Sequence, residues 1–233
     1  MGVKIGNKHT DDFNLHVTDF SLQQPEPQTH LINVPGRNGL LDLTEVHGSV
    51  VYGNRKIKLT CVHKDTIPQD WHNTNSALLA EYHGNRCNII FDSEKDYYYN
   101  GRLSVANTKN SQMHSTYTIT ADCDPYAYEL QDRGSPWIWD IFNFNTGKIY
   151  QDKYCNVSVD SSYTLICEHN GQMPVTVTIE LVSGEITVTF RGVTYNLELG
   201  NNYIPEITVT NRNFILRFEG NGYVNIHYRG GKL

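Results

Sequence analysis

The final third of the chain alternates between apolar and polar residues with a period of two. Six short runs carry the pattern: VTVTIEL (175–181), EITVTF (185–190), VTYNLEL (193–199), PEITVT (205–210), FILRFEG (214–220) and YVNIHYR (223–229). Successive side chains of a pleated strand point to opposite faces, so this alternation builds one apolar face per strand and would scatter apolar residues around a helix. The pairs Ser183-Gly184, Arg191-Gly192, Gly200-Asn201 and Asn221-Gly222 stand beside the runs as reversal signals. Short strands at even spacing with turns between them predict an antiparallel β-sandwich from about residue 154 onward.

The first half is strand-rich as well. FNLHVTDFSLQ (13–23) reads as an opening strand, which Pro25 and Pro27 end. Residues 54–64 put Ile57, Leu59, Cys61 and His63 on one face, and 115–126 does the same with Tyr117, Ile119, Ala121 and Cys123. RCNIIF (86–91) and a hairpin around YYYNGRLSV (97–105) add further strands. Asn-Gly pairs at 38–39, 100–101, 170–171 and 221–222 are strong local reversal signals, because both residues tolerate positive φ. One segment differs. Over 68–83, Pro68 stands where a missing N–H costs nothing, Trp71, Leu78, Leu79 and Tyr82 share a helical face, and Gly84 follows as a stop.

Residues 131–150, QDRGSPWIWDIFNFNTGKIY, follow no period and crowd two Trp and two Phe together. They read as an inter-domain connector. Exposing so much ring area is unfavourable by about 25 cal/mol per Å², so a packed connector is expected.

With 39% hydrophobic and 19% charged residues in 233, the chain has the composition of a folded protein with one large domain or two small ones. A net charge of −6 supplies no basic stripe for phosphates, so specific nucleic-acid binding is not expected. No apolar run approaches a membrane span, and no membrane insertion is expected. The opening MGVKIGNKHTDDF lacks an apolar signal core, and MGVKIGN fails the lipidation pattern, having no Ser or Thr where one is wanted. Synthesis in a cytoplasm is the expectation.

Chemistry leaves few traces. The ten histidines form no H-E-x-x-H, H-x-H or His/carboxylate cluster at ligand spacing, so no metal is expected. Cys61, Cys87, Cys123, Cys155 and Cys167 are odd in number and never C-x-x-C, which fits buried thiols. Asp92, Glu94 and Asp96 beside Tyr97 to Tyr99 are the richest acidic and aromatic stretch, and glycosidase chemistry needs two carboxylates across a cleft. Alternation would set all three on one side of a strand, and such a stretch is more often a solvated strand edge or loop. No G-x-S-x-G elbow, P-loop or dinucleotide fingerprint occurs, and VPGRNG (34–39) reads as a turn. No catalytic residue and no cofactor are expected, and the chain is read as a non-enzyme.

Several ordered segments carry a family resemblance. VPGRNGLLDLTEVHGSVVYGNRKIKL (34–59) holds a P-G-R-x-G turn, a D-L-T-E element and a Tyr–Asn-Arg group before a long strand. DYYYNGRLSVAN (96–107), TYTITADCDPYAYE (116–129), PWIWDIFNF (136–144) and YVNIHYRGGKL (223–233) follow. In these segments and their order the chain resembles the distal tail protein (Dit) family of siphophages and prophages of Gram-positive bacteria. The resemblance implies a mainly β chain with an N-terminal β-rich domain over 1–130 carrying one helix. The 131–150 connector then leads to a C-terminal antiparallel β-sandwich over 151–233, galectin-like or carbohydrate-module-like and displayed outward. It further implies a structural protein of the virion, at the distal end of the phage tail. There a hexameric ring would act as a baseplate hub between the tail tube protein and the tail-associated lysin or tip protein, with receptor-binding proteins as further partners.

A ring needs a heterologous interface that closes on itself, which suits strand edges such as 54–64 or the 96–107 hairpin. Arg37, Arg55 and Arg102 fall in the family-like segments, where a planar guanidinium could tie subunits through carboxylates such as Asp42 or Glu45. A solvated arginine beside a turn is an equal alternative for each. Tyr195, Tyr203, Tyr223 and Tyr228 support the alternative of a host-surface carbohydrate-binding tail module, with a host cell-wall saccharide as partner. Packing of those tyrosines in a core or at an edge is the commoner outcome. A third reading, a tail-associated cell-wall hydrolase, lacks a catalytic pair.

Overall fold

The structure is a computed structural model that describes residues 2–46, 48–64, 68–109, 114–135, 151–169, 173–209 and 213–233. The chain divides into two compact units. The first comprises Met1–Glu94, Tyr98–Ala127 and Leu233, the second Lys95–Tyr97 and Tyr128–Lys232. The Asn170-Gly171 pair and the connector aromatics Trp137, Trp139, Phe142 and Phe144 lie outside the described residues.

Along the first unit come β1 (Val3–Ile5), β2 (Lys8–His9), β3 (Leu15–Leu22), β4 (Leu31–Ile32), β5 (Leu41–Asp42), β6 (Arg55–Lys64), α1 (Pro68–Tyr82), β7 (Arg86–Phe91), β8 (Tyr97–Lys109) and β9 (His114–Cys123). Seven of these strands pair antiparallel in the order β2-β1-β7-β8-β9-β6-β3, while β4 and β5 pair with each other. The alternation in the sequence places the core. Ile57, Leu59, Cys61 and His63 are buried on β6, and Tyr117, Ile119, Ala121 and Cys123 on β9, with Leu59 opposite Ile119 and Ile57 opposite Ala121.

Helix α1 buries Leu78 and Tyr82, one turn apart. The Tyr82 hydroxyl donates to Ile5 O at 3.5 Å, and its ring stands edge-on to Phe13 at 5.7 Å. Trp71 is half-buried, and Leu79, expected on the packed face, is exposed. It follows Leu78 by one residue, about 100° around the helix, and so turns off the stripe that meets the core.

Asn100-Gly101 is not a reversal. It lies inside β8, and the turn between β7 and β8 falls at residues 92–96 instead. Gly101 is opposite Cys123, where an added Cβ would stand 2.4 Å from Cys123 Sγ and 2.8 Å from Asp122 O. The glycine serves close strand approach.

Strand β10 (Ala127–Glu129) begins on the last residue of the first unit's Tyr98–Ala127 stretch and continues into the second unit, which contains α2 (Gln151–Tyr154), β11 (Val157–Cys167), β12 (Val175–Phe190), β13 (Val193–Asn196), β14 (Gly200–Val209), β15 (Phe214–His227) and β16 (Gly231–Lys232). A five-stranded antiparallel sheet runs β11-β15-β12-β13, with β14 also on β12, and β10 pairs with β16. Four of the expected runs fuse in pairs: 175–181 with 185–190 into β12, and 214–220 with 223–229 into β15. Ser183-Gly184 and Asn221-Gly222 therefore form a corner and reverse nothing. Gly184, Gly220 and Gly222 have φ of +92°, +127° and +152° and meet across the β12–β15 pair, each with a backbone carbonyl within 2.1 Å of where a Cβ would stand. Ser161 on β11, opposite Gly220, has φ +67° and continues the line.

At this line the sheet folds over on itself. Phe214 and Tyr228, fourteen residues apart along one strand and its exit, bring their rings within 5.7 Å. A straight strand of that length would span about 46 Å. A register shift between Leu181 and Ser183 adds the bulge that moves burial on β12 from odd positions to even ones. Val175, Val177, Ile179 and Leu181 before the bend and Ile186, Val188 and Phe190 after it thus enter one core. Both layers of the sandwich come from the same long strands. Arg191-Gly192 does reverse the chain, with φ of +49° and +85° in the type I′ pattern between Phe190 and Val193.

Candidate assembly surface

Between β3 and β6 the chain leaves the sheet as a two-stranded arm. Gln23 N donates to Lys56 O at 2.9 Å, Gly53 N to Glu26 O at 2.8 Å, Gln28 N to Val51 O at 2.8 Å and Leu43 N to His30 O at 2.8 Å, and β4 and β5 continue the pairing. The ten residues from Gln23 to Ile32 can reach about 33 Å when extended. Pro25 and Pro27 keep this segment out of the regular sheet, since neither can donate to a ladder. At the tip Val34-Pro35-Gly36-Arg37 makes a turn closed by Arg37 N to Val34 O at 3.1 Å, with Gly36 at φ +82° in the position a type II turn reserves for positive φ.

The arm is hydrogen-bonded along its two legs but almost uncovered. Leu31, Ile32, Leu40, Val46 and Val51 are 47–62% exposed, and Phe20 at its root is 45% exposed. Ile32 pairs with Leu41 on one face while Leu31, one residue back, points to the other, so both faces carry apolar residues. An isolated two-stranded hairpin is marginal in water. Each such side chain gains roughly 1.5–3 kcal/mol if fully buried, which makes the arm a surface that gains by docking.

Three of the five interface candidates lie here. Arg37 is exposed at the tip, and Asp42 and Glu45 are exposed on the returning leg. No ion pair joins Arg37 to either carboxylate among the described residues. Asp42 Oδ1 accepts Thr44 N at 2.9 Å, and Thr44 Oγ1 accepts His30 N at 3.1 Å, so the carboxylate anchors the loop. The Thr44 hydrogen bonds hold the Asp42 carboxyl below its ordinary range.

The other two serve the first unit itself. Arg55 is 1% exposed, with its guanidinium 5.4 Å from the Tyr99 ring, and burial lowers its pKa. It lies in phase with Ile57 and Leu59 on the buried face, so it is not available to a neighbouring carboxylate. Arg102 donates to Gly84 O at 2.6 Å and ties the end of α1 to β8.

The tyrosines separate in the same way. Tyr228 is 3% exposed, its hydroxyl donates to Glu168 O at 2.8 Å, and its ring packs on Tyr154 and Phe214. Tyr195 packs against the core of the second unit. Tyr228 is thus buried and Tyr195 half-buried, whereas Tyr203 and Tyr223 are exposed. Asp92, in the 92–96 turn between β7 and β8, pairs with His9 Nε2 at 3.3 Å, so the acidic stretch is a loop. Cys61, Cys123 and Cys167 are buried, and Cys87 and Cys155 are half-buried. Among the described residues, no group of three or more His, Cys, Asp or Glu side chains could hold a metal ion.

No protein-family model matches the chain, and no curated protein sequence does. Among solved structures it aligns with the crystal structure of the SPP1 Dit protein (gp 19.1), described as a paradigm of hub adsorption apparatus in Gram-positive infecting phages. The TM-score is 0.65 at 12% identity, and the alignment covers 100% of this chain and 99% of that one. At that identity the likeness is one of fold, and it runs from end to end: the chain has a Dit-like fold through both of its units.

Proposed function

We propose that this chain is a structural component of a phage tail hub. The first unit assembles into a closed ring, expected to hold six copies, and the second unit is its outward module. The observation that carries this reading is the fold shared end to end with a hub protein. The arm supports it, because a projecting ribbon with apolar side chains on both faces is stabilised by docking on a neighbouring copy. Contacts of one surface on a different surface of the next copy form a ring when the rotation closes. In this reading the tail tube protein meets one face of the ring and the tail-associated lysin or tip protein the other, with receptor-binding proteins beyond. The role is architectural and needs no catalytic group. Negative-stain imaging of the full chain tests it: rings with a central hole are expected, and uniformly small solid particles would count against it.

A further inference from the structure

The outward face of the second unit, before the corner, joins exposed aromatic rings to a fixed polar network. Register defines it. Tyr203, Thr178 and His227 stand in one row across β14, β12 and β15, and Asn201, Glu180 and Asn225 in the next. Tyr223 precedes Asn225 by two positions on the same face of β15. Tyr203 is 66% exposed and Tyr223 47%.

The polar groups between the rings are held in place. Asn225 Nδ2 donates to Glu180 Oε2 at 2.6 Å, and Asn225 Oδ1 accepts Asn156 N at 2.6 Å, which fixes the amide. His227 Nε2 lies 3.2 Å from the same Glu180 oxygen, and its Nδ1 lies 3.6 Å from Asp132 Oδ2. Asp132 is fixed in turn by Gly134 N, which donates to its Oδ1 at 3.1 Å. Glu180 Oε1, the Asn201 amide and the Thr178 hydroxyl have no hydrogen-bond partner among the described residues, and the register puts all three positions on the face that carries the rings. Hydrogen bonds from Asn225 and then His227 keep the Glu180 carboxyl below its ordinary range, so it is an ionised acceptor at neutral pH.

We propose that this face, bounded by Tyr203 and Tyr223 and floored by Asn201, Glu180, Asn225 and His227, binds a neutral oligosaccharide. A sugar ring presents apolar C–H groups on one side and hydroxyls around its rim, which matches exposed tyrosine faces beside pre-fixed carboxylate and amide groups. Strands about 4.8 Å apart and residues about 3.4 Å along put the Cα atoms of Tyr203 and Tyr223 about 17 Å apart, the length of about three sugar rings. The carboxylates of Glu180 and Asp132 disfavour nucleic acid and other polyanions. Charged groups at the centre of the face also disfavour a protein partner, since the cores of protein interfaces are depleted in them.

The proposal rests on reading the second unit as the outward module. It is tested on the full chain in solution whether or not rings form, so the two readings fail separately. The probes are maltotetraose, cellotetraose, chitotetraose and β-1,4-galactotetraose, with a hyaluronan tetrasaccharide as the anionic comparison, followed by calorimetry and by amide shift mapping. Saturable binding of at least one neutral tetrasaccharide is expected, with shifts on β12, β14 and β15 before the corner. Tyr203→Ala and Tyr223→Ala should each weaken binding about tenfold, since each removes a stacking ring. Tyr163→Ala, beyond the corner, should leave it unchanged. No saturable response to any neutral probe, shifts elsewhere, a preference for hyaluronan, or full affinity in a Tyr203→Ala/Tyr223→Ala double variant would each overturn the proposal.

Discussion

Tyr228 shows how much one side chain can hold together. Its hydroxyl satisfies Glu168 O, its ring contacts those of Tyr154 and Phe214, and the Arg133 guanidinium stacks on it at 4.6 Å. Tyr228→Phe should cost about 1 kcal/mol for the lost hydrogen bond, and Tyr228→Ala about 3–5 kcal/mol for the cavity, both read from urea midpoints. The buried thiols give a pH dependence with a definite sign. Burial raises Cys61 from an ordinary 9.0 to about 11, and Cys123 and Cys167 to about 12. The folded state then holds protons that the unfolded chain releases, so this stability is complete below pH 9 and falls as pH rises from there toward 12. Asp42 works the other way. Its depressed carboxyl stabilises the arm loop above the ordinary 3.8 and loses that effect as pH falls through its folded value. Protection of the Thr44 amide against exchange, taken relative to the intrinsic rate at each pH, should fall in acid, and Asp42→Ala should abolish it at neutral pH as well.

At the scale of elements, the corner of the second unit makes the sharpest claim. Gly184→Ala and Gly222→Ala each drive a Cβ to 2.0 Å from a backbone carbonyl, which no rotamer change relieves. Each should cost roughly 3 kcal/mol or more and show as loss of soluble, folded protein. Gly192→Ala should cost only about 1 kcal/mol, because Gly192 also has positive φ but nothing within 4 Å of its Cβ position. The same contrast explains what the sequence could and could not show. Alternation located most strands and their buried faces, and it already held Arg55 in phase with Ile57 and Tyr228 in phase with Ile226, the signal that both are interior. Tyr223, out of phase with Val224, was legible as exposed in the same way. Gly-containing pairs signalled a freedom to adopt positive φ, not its use: Arg191-Gly192 spends it on a reversal, Ser183-Gly184 and Asn221-Gly222 on a bend. Strand β11 was hidden because its middle, DSSYT, is exposed throughout. The arm read as a loop from its prolines and PGRNG. Its uncovered leucines and valines did not stand out, because an apolar residue in a loop carries no mark of whether anything covers it.

At the scale of the whole molecule, the arm is separable from the fold. Gln23 and Lys56 are already hydrogen-bonded at its root, so replacing the residues between Gln23 and Arg55 with a short turn should leave β3 and β6 paired. The shortened chain should keep the circular dichroism of the parent while losing self-association, as sedimentation would show. A hub made of such chains would draw its specificity from the arm and the surface that receives it. The most direct test of this account is native mass measurement of the full chain beside a Leu31→Asp/Ile32→Asp/Leu40→Asp variant. The account predicts a closed oligomer of one defined size, six copies, for the parent and a folded monomer for the variant. A parent that stays monomeric as concentration rises, or a variant that assembles as the parent does, would contradict it.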